Sequence, residues 1–242
     1  MTPSFLSELP GEVLISGDAS LHDIAADPTV LASYPLLAEA CAQLEAGTPL
    51  MALGESLAVT DSCSVTPAGV HCALNGTSTC AAKDSLELHA VLEAGPCWRA
   101  YTSLTGVAVH ALGGIIELGE GTQGVFVQHV RIPTDAAGGF QRLLRAPGNG
   151  PSGVAAISVA ATRRTDGDVR LVVGGVSSAL PYRVYTSVEE EAGAGGLDDD
   201  TIAGLADRAL LDAETDSQSV YKVDAAAALL RRAIAEIAAN SA

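Results

Sequence analysis

Four cysteines, Cys63, Cys72, Cys80 and Cys97, fall within 35 residues of a 242-residue chain, with 8, 7 and 16 residues between them. Four thiolates satisfy the valence of a structural zinc or of an iron–sulfur cluster. The spacing is neither the paired Cys-x-x-Cys of a zinc ribbon nor the short gaps of a bacterial ferredoxin run. Ligands this far apart suit a centre that folds a long loop around itself. The plain alternative is four small buried hydrophobes in an alanine-rich protein, and spacing does not choose between them. His71 and His89 could stand in as ligands, although a lone histidine is more often a satisfied core or surface residue. Cys41 lies between Ala40 and Ala42 on an apolar helical pattern and reads as core packing.

Composition limits what surrounds these residues. The chain is 48% hydrophobic but only 4% aromatic, so its core must be built from Ala, Val and Leu. With 13 Lys+Arg against 29 Asp+Glu the formal charge is -16, a surface that repels nucleic-acid phosphates and anionic lipid. Neither is an expected partner. The first eight residues have no basic n-region and no apolar h-region, so no secretory signal is expected. The longest apolar stretch, Gly106 to Leu118, is broken by His110 and glycines and falls short of the roughly 20 residues of a membrane helix. The expected location is cytoplasmic, where clustered cysteines bind metal or do redox chemistry more often than they form disulfides.

Leu14 to Gly17 reads as a short strand. Ser20, with Asp23 in place of the box glutamate, caps a short helix. Asp27-Pro28 then punctuates, and Thr29 to Leu44 reads as a second helix. From Thr48 to Thr105 periodicity is poor, too long for a structureless loop unless something organises it. Val107 to Leu118 suits a helix or strand around Gly113-Gly114, and Gly124 to Ile132 alternates like a strand. Gly139 to Arg145 reads as a short helix. Ala156 to Arg163 and Val169 to Val176, joined through Asp166-Gly167, carry a strong hairpin signature. Ten Asp/Glu and a single Arg lie between Ser187 and Ser217, a run that reads as solvated surface around a helix from Thr201 to Leu211. Val223 to Ala239 is the clearest helix, with Leu229, Leu230, Ala233 and Ile237 on one face.

The runs Gly153-Val154-Ala155-Ala156-Ile157-Ser158-Val159-Ala160-Ala161, Val172-Val173-Gly174-Gly175-Val176 and Pro181-Tyr182-Arg183 resemble the C-terminal domain of a known family. These are the FAD-binding medium subunits of molybdenum hydroxylases, the xanthine and carbon monoxide dehydrogenase family. The helix around Leu229 to Ala233 fits the same domain, and Gly17 to Leu37 resembles the start of the family's second FAD-domain lobe. The cysteines, in contexts such as Cys72-Ala73, Cys80-Ala81-Ala82 and His89-Ala90-Val91-Leu92, are similar to an extra loop of the periplasmic aldehyde oxidoreductase type. That loop holds a [4Fe-4S] cluster, and 4-hydroxybenzoyl-CoA reductase has a comparable one. The resemblance covers roughly Leu14 to Ala239.

This resemblance implies an α+β fold. A truncated FAD-binding α/β lobe (PCMH-like) is expected over 1–133, with a cysteine-rich loop at 54–105. A CO dehydrogenase flavoprotein C-terminal-like antiparallel sheet with helices is expected over 134–242. It also implies an electron-transfer medium subunit with no catalytic base or nucleophile of its own. Cys63, Cys72, Cys80 and Cys97 would hold a [4Fe-4S] cluster. The implied partners are a molybdopterin-binding large subunit and a [2Fe-2S] small subunit. FAD is the family's cofactor on this subunit, and Gly54 and Ser56 are the candidate contacts. Here the chain departs from the pattern. No counterpart of the family's first lobe precedes Leu14, Gly54-Glu55-Ser56 stands in place of Gly-Gly-Asn, and Ser103-Leu104 stands in place of a Ser-Asp pair. A glutamate is wrong in bulk and sign for a loop that cradles pyrophosphate. A flavin-free scaffold of the same complex is therefore the alternative, and an independent zinc module a third reading.

Overall fold

The computed structural model describes residues 5–45, 51–57, 89–92, 100–121, 124–147, 155–178, 180–215 and 219–240. Cys63, Cys72, Cys80, Cys97 and His71 lie outside them. Two four-stranded antiparallel sheets organise the chain, each paired with helices. The first has strand order β1-β2-β4-β3, from β1 (Leu6–Leu9), β2 (Glu12–Ser16), β3 (Ile115–Gly121) and β4 (Gly124–Pro133). Alternation sets its faces: Val13 and Ile15 of β2 and Val130 and Ile132 of β4 point inward. On the opposite face Arg131 donates to Glu12 at 2.8 Å and to Glu117 at 2.7 Å, tying three strands together. The guanidinium holds the Glu12 carboxyl below its ordinary range.

Helices α1 (Leu21–Ala26), α2 (Pro28–Ser33) and α3 (Pro35–Glu45) cover the inner face. Ser20 caps α1 as its sequence predicts, accepting from Asp23 N–H at 3.0 Å. The expected single helix from Thr29 to Leu44 is two helices. Pro35 has no N–H and restricts Tyr34, which leaves the helical region at φ -132° and ψ 53°. Gln141 then serves the backbone groups at the break. Its side chain accepts from Leu36 N–H at 3.2 Å and donates to Ser33 C=O at 2.9 Å.

The second sheet has order β5-β6-β7-β8, from β5 (Phe140–Pro147), β6 (Ala155–Arg163), β7 (Val169–Gly174) and β8 (Tyr182–Arg183). The segment expected to be a helix at Gly139 to Arg145 is strand β5. Leu143 and Leu144 are both buried, on opposite faces, because the strand pairs with β6 along its length. The predicted β6–β7 hairpin forms through Gly167 at φ 95°.

One face of this sheet carries α6 (Thr186–Gly193), α7 (Asp199–Ala209) and α8 (Val220–Ala239). Leu230, Ala233 and Ile237 of α8 are buried as their spacing predicts. The described acidic residues of the run are exposed except for Glu189, which is buried, accepts from Leu171 N–H at 2.9 Å and pairs with Arg183. The other face receives α5 (Leu104–Ala111), the helical half of the ambiguous 107–118 stretch. Gly113, at φ 73°, turns the chain from α5 into β3.

Two glycines have opposite expected responses to an added methyl. A Cβ on Gly17 would lie 2.0 Å from Val127 C=O, whereas one on Gly204, within α7, meets nothing within 4 Å. Gly17→Ala is expected to cost about 1–3 kcal/mol by overpacking, and Gly204→Ala to stabilise by about 0.5–1 kcal/mol. Denaturant melts of the two variants check both signs.

Candidate functional site

The candidate flavin residues Gly54 and Ser56 lie on the short helix α4 (Leu53–Leu57), whose head is met by the loop after β2. Its amino end is the place where free N–H groups could hold a phosphate. Three of those groups, on Ala52, Leu53 and Gly54, are taken by the chain itself. Leu53 N–H donates to Ala19 C=O and Gly54 N–H to Gly17 C=O, each at 2.8 Å. Ala52 N–H donates to the carboxylate of Glu55 at 3.1 Å. Glu55 thus brings a negative charge to the position that an anionic ligand would need. A Cβ on Gly54 would meet Gly17 C=O at 3.1 Å and Val127 Cβ at 3.2 Å, so this glycine serves close packing of the chain against itself.

Ser56 is drawn inward as well. Its hydroxyl donates to Leu53 C=O at 2.7 Å and lies 2.8 Å from the hydroxyl of Thr105. Ser103 donates to Ser56 C=O at 2.6 Å, lies 2.9 Å from the Thr105 hydroxyl, and accepts from Gly106 N–H at 3.1 Å as the N-cap of α5. Three hydroxyls from two distant segments therefore form one closed set. It joins Ser56, just before the cysteine-rich stretch, to Ser103, just after it. Leu104 is buried in the first core. The residues present do not fit a flavin pyrophosphate: the N–H groups of Ala52, Leu53 and Gly54 already have acceptors, and the carboxylate there has the wrong sign.

Searched by sequence, the chain matches no family model and no curated protein. Its fold does have counterparts. A chain of quinoline 2-oxidoreductase from Pseudomonas putida 86 superposes with a TM-score of 0.59 at 16% identity, over 98% of this chain and 78% of that one. Carbon monoxide dehydrogenase from Hydrogenophaga pseudoflava gives 0.58 at 17% identity over the same shares, 98% and 78%. Carbon monoxide dehydrogenase from Oligotropha carboxidovorans gives 0.55 at 15% identity, over 97% and 78%. The chain shares the fold of these oxidoreductase chains. That is the α+β architecture, with its antiparallel sheets, that the sequence resemblance implies.

Within this fold the other candidate residues separate cleanly. Cys41 is buried on α3, and burial pushes its thiol up to about 12, so it is packing, as its alanine neighbours suggested. His89 is described, and its carbonyl accepts from Lys222 Nζ at 2.6 Å. Among the described residues, no three His, Cys, Asp or Glu side chains come together as a metal site, and no helix is long and apolar enough to cross a membrane. Thr105 and Lys222 escape the sequence reading. Neither belongs to a motif, and only the return of the chain brings each to its partners.

His110, in the last turn of α5, is held below its ordinary value of 6.5 by burial first, and then by Arg183 and Arg170. A depressed value means that the unfolded chain binds more protons than the folded one near and below that pH. This contribution is therefore fully present above about pH 6.5 and is lost as pH falls toward the lowered value. His110→Gln is expected to flatten the decline in melting temperature below pH 6.5. For the hydroxyl set, Ser103→Ala leaves Ser56 C=O and Gly106 N–H without this partner and is expected to cost about 1–2 kcal/mol. Added FAD is expected to leave the melting temperature of the wild type unchanged, and calorimetry checks both statements.

Proposed function

We propose that this chain is the electron-transfer medium subunit of a molybdenum hydroxylase-type oxidoreductase complex. It belongs in this reading to the branch with a [4Fe-4S] loop, alongside periplasmic-type aldehyde oxidoreductase and 4-hydroxybenzoyl-CoA reductase. Residues 1–133 form the flavin-type domain and 134–242 the C-terminal domain. The observation that carries the reading is the fold shared along 98% of the chain with quinoline 2-oxidoreductase, joined to four cysteines within 35 residues of the sequence. Four cysteines are the donor set of a [4Fe-4S] cluster, and they match the branch of the family that carries one. Cys63, Cys72, Cys80 and Cys97 are the proposed ligands.

When bound, such a cluster supplies reversible one-electron transfer. The protein's part is to hold four thiolates deprotonated, to exclude water and to hold the loop ends, where Ser103 donates to the Ser56 carbonyl at 2.6 Å. No base or nucleophile is required of this chain, because substrate chemistry belongs to the molybdopterin-binding large subunit. In this reading a [2Fe-2S] small subunit would be its electron donor. FAD has no step in this reading, since the head of α4 does not fit its pyrophosphate.

A second reading has a specific observation in its favour. The self-satisfied α4 head is what a flavin-free scaffold subunit would have, one that keeps the complex together without carrying electrons. Metal analysis separates the two. The anaerobically purified complex is expected to contain about four irons for each copy of this chain, with a broad charge-transfer absorbance. Cys72→Ser with Cys80→Ser is expected to lose that iron and electron transfer while the complex still assembles. Iron-free wild type, or unchanged turnover in the double variant, would leave the scaffold reading standing.

A further inference from the structure

Basic residues are scarce in this chain, 13 Lys+Arg against 29 Asp+Glu, yet three arginines gather where the turn from α5 into β3 meets the β6–β7 hairpin. Arg164 and Arg170 flank the hairpin turn, and Arg183 stands on β8, paired with Val172 of β7. Gly113 shows how close the first two come. A Cβ built there would lie 2.2 Å from Arg170 Nη1 and 2.8 Å from Arg164 Nη2, so both guanidiniums occupy the space this glycine leaves open. Like charges side by side repel unless acceptors surround them.

Three carboxylates and one carbonyl answer them. Asp168 Oδ2 is 3.3 Å from Arg170 Nε and 3.8 Å from Arg164 Nε. Asp135 accepts from Arg164 Nη1 at 3.0 Å, and Leu112 C=O, closing α5, from Arg164 Nη2 at 3.5 Å. Glu189 pairs with Arg183 at 2.7 Å. Donors are left over. Arg164, with 10% of its side chain exposed, keeps a buried Nε–H without an acceptor. The terminal nitrogens of Arg170 and the imidazole of His110 have no hydrogen-bond partner among the described residues. A buried donor left unmade costs the desolvation of that group, so such groups point to a missing acceptor. The field also stays positive despite the carboxylates, because after burial it is Arg183 and Arg170 that hold His110 below its ordinary value.

We propose that this junction binds a small oxyanion of the phosphate class, with Arg170 and Arg164 as its guanidinium donors and His110 as a further polar contact from α5. A tetrahedral oxyanion offers several acceptors at once, and guanidiniums take them as paired, charge-assisted hydrogen bonds. It supplies acceptors to the leftover donors and separates two adjoining positive charges. Entry is from the side of Arg170, whose side chain is 21% exposed. Bound there, the ion joins the α5–β3 turn to the hairpin of the second sheet, so binding stabilises the junction. The site uses none of the cysteines and is independent of the electron-transfer role.

Calorimetric titration of inorganic phosphate into the full-length purified protein tests this site, with sodium chloride at matched ionic strength as the reference. Wild type is expected to bind phosphate saturably. Arg170→Gln and Arg164→Gln are each expected to weaken binding about tenfold, the loss of one charge-assisted hydrogen bond. Arg231→Gln, at an exposed pair with Asp207, is expected to bind as wild type does. Phosphate also stabilises proteins by exclusion from their surface, an effect that neither saturates nor depends on one arginine. Non-saturating heats in wild type, or equal affinity in wild type and Arg170→Gln, therefore overturn the inference as an adventitious ion effect only. Should the buried Arg164→Gln not fold, the more exposed Arg170→Gln decides alone.

Discussion

The burial of α5 is the constraint on which the two halves of the molecule depend. Its eight residues, Leu104 to Ala111, are apolar almost all round and lie between the first helical layer and the second sheet. A helix with no polar face has to be covered on every side. That need brings α3 and α4 to one flank and β6 and β7 to the other. The facing sheet positions are small where the helix comes closest. A Cβ on Gly174 would meet Val107 at 2.6 Å, and Thr162 donates to the last-turn carbonyl of Ala111 at 3.0 Å. Gly106 has to lack a side chain for the same reason, because the Tyr101 ring occupies the space a Cβ would need.

This packing also explains why β6 and β7 bury apolar residues on both faces. Ala160 and Val172 look toward α5, while Ile157, Val159, Leu171 and Val173 look toward the helices α6 to α8. The cost of burying so much backbone is met by complete pairing, and at the margins by side chains such as Glu189 on Leu171 N–H. Ser103 caps α5 and simultaneously holds the Ser56 carbonyl, tying the end of α4 to the start of α5.

Much of the fold was legible wherever a local pattern has a local cause. The Ser20 cap, the Asp166-Gly167 turn and the apolar stripe of α8 all act within a few residues, and each forms as read. Pro35 was a visible signal that the apolar run around it overrode. β5 was not legible, because Phe140 to Arg145 has helical spacing and becomes a strand only by pairing with β6. The short edges β1 and β8 carry too few residues to show a period. At the candidate site, the sequence picked out Gly54 and Ser56 through resemblance, yet their partners Gly17, Ser103 and Thr105 are far along the chain. Their inward hydrogen bonding could not be read from the residue types.

By itself, the sequence determined the chemistry available: four clustered thiols, an excess of acidic side chains, few aromatic ones and a glutamate between Gly54 and Ser56. These are properties of composition and order, independent of how the chain folds. Tertiary structure alone decided what those residues meet. It turned Gly54 toward Gly17 and Val127, gave Glu55 to the head of its own helix, and brought Lys222 to the carbonyls of His89 and Gly175. The physical reason is that hydrogen bonds and close packing depend on distances between residues separated by up to 133 positions, which no local periodicity encodes.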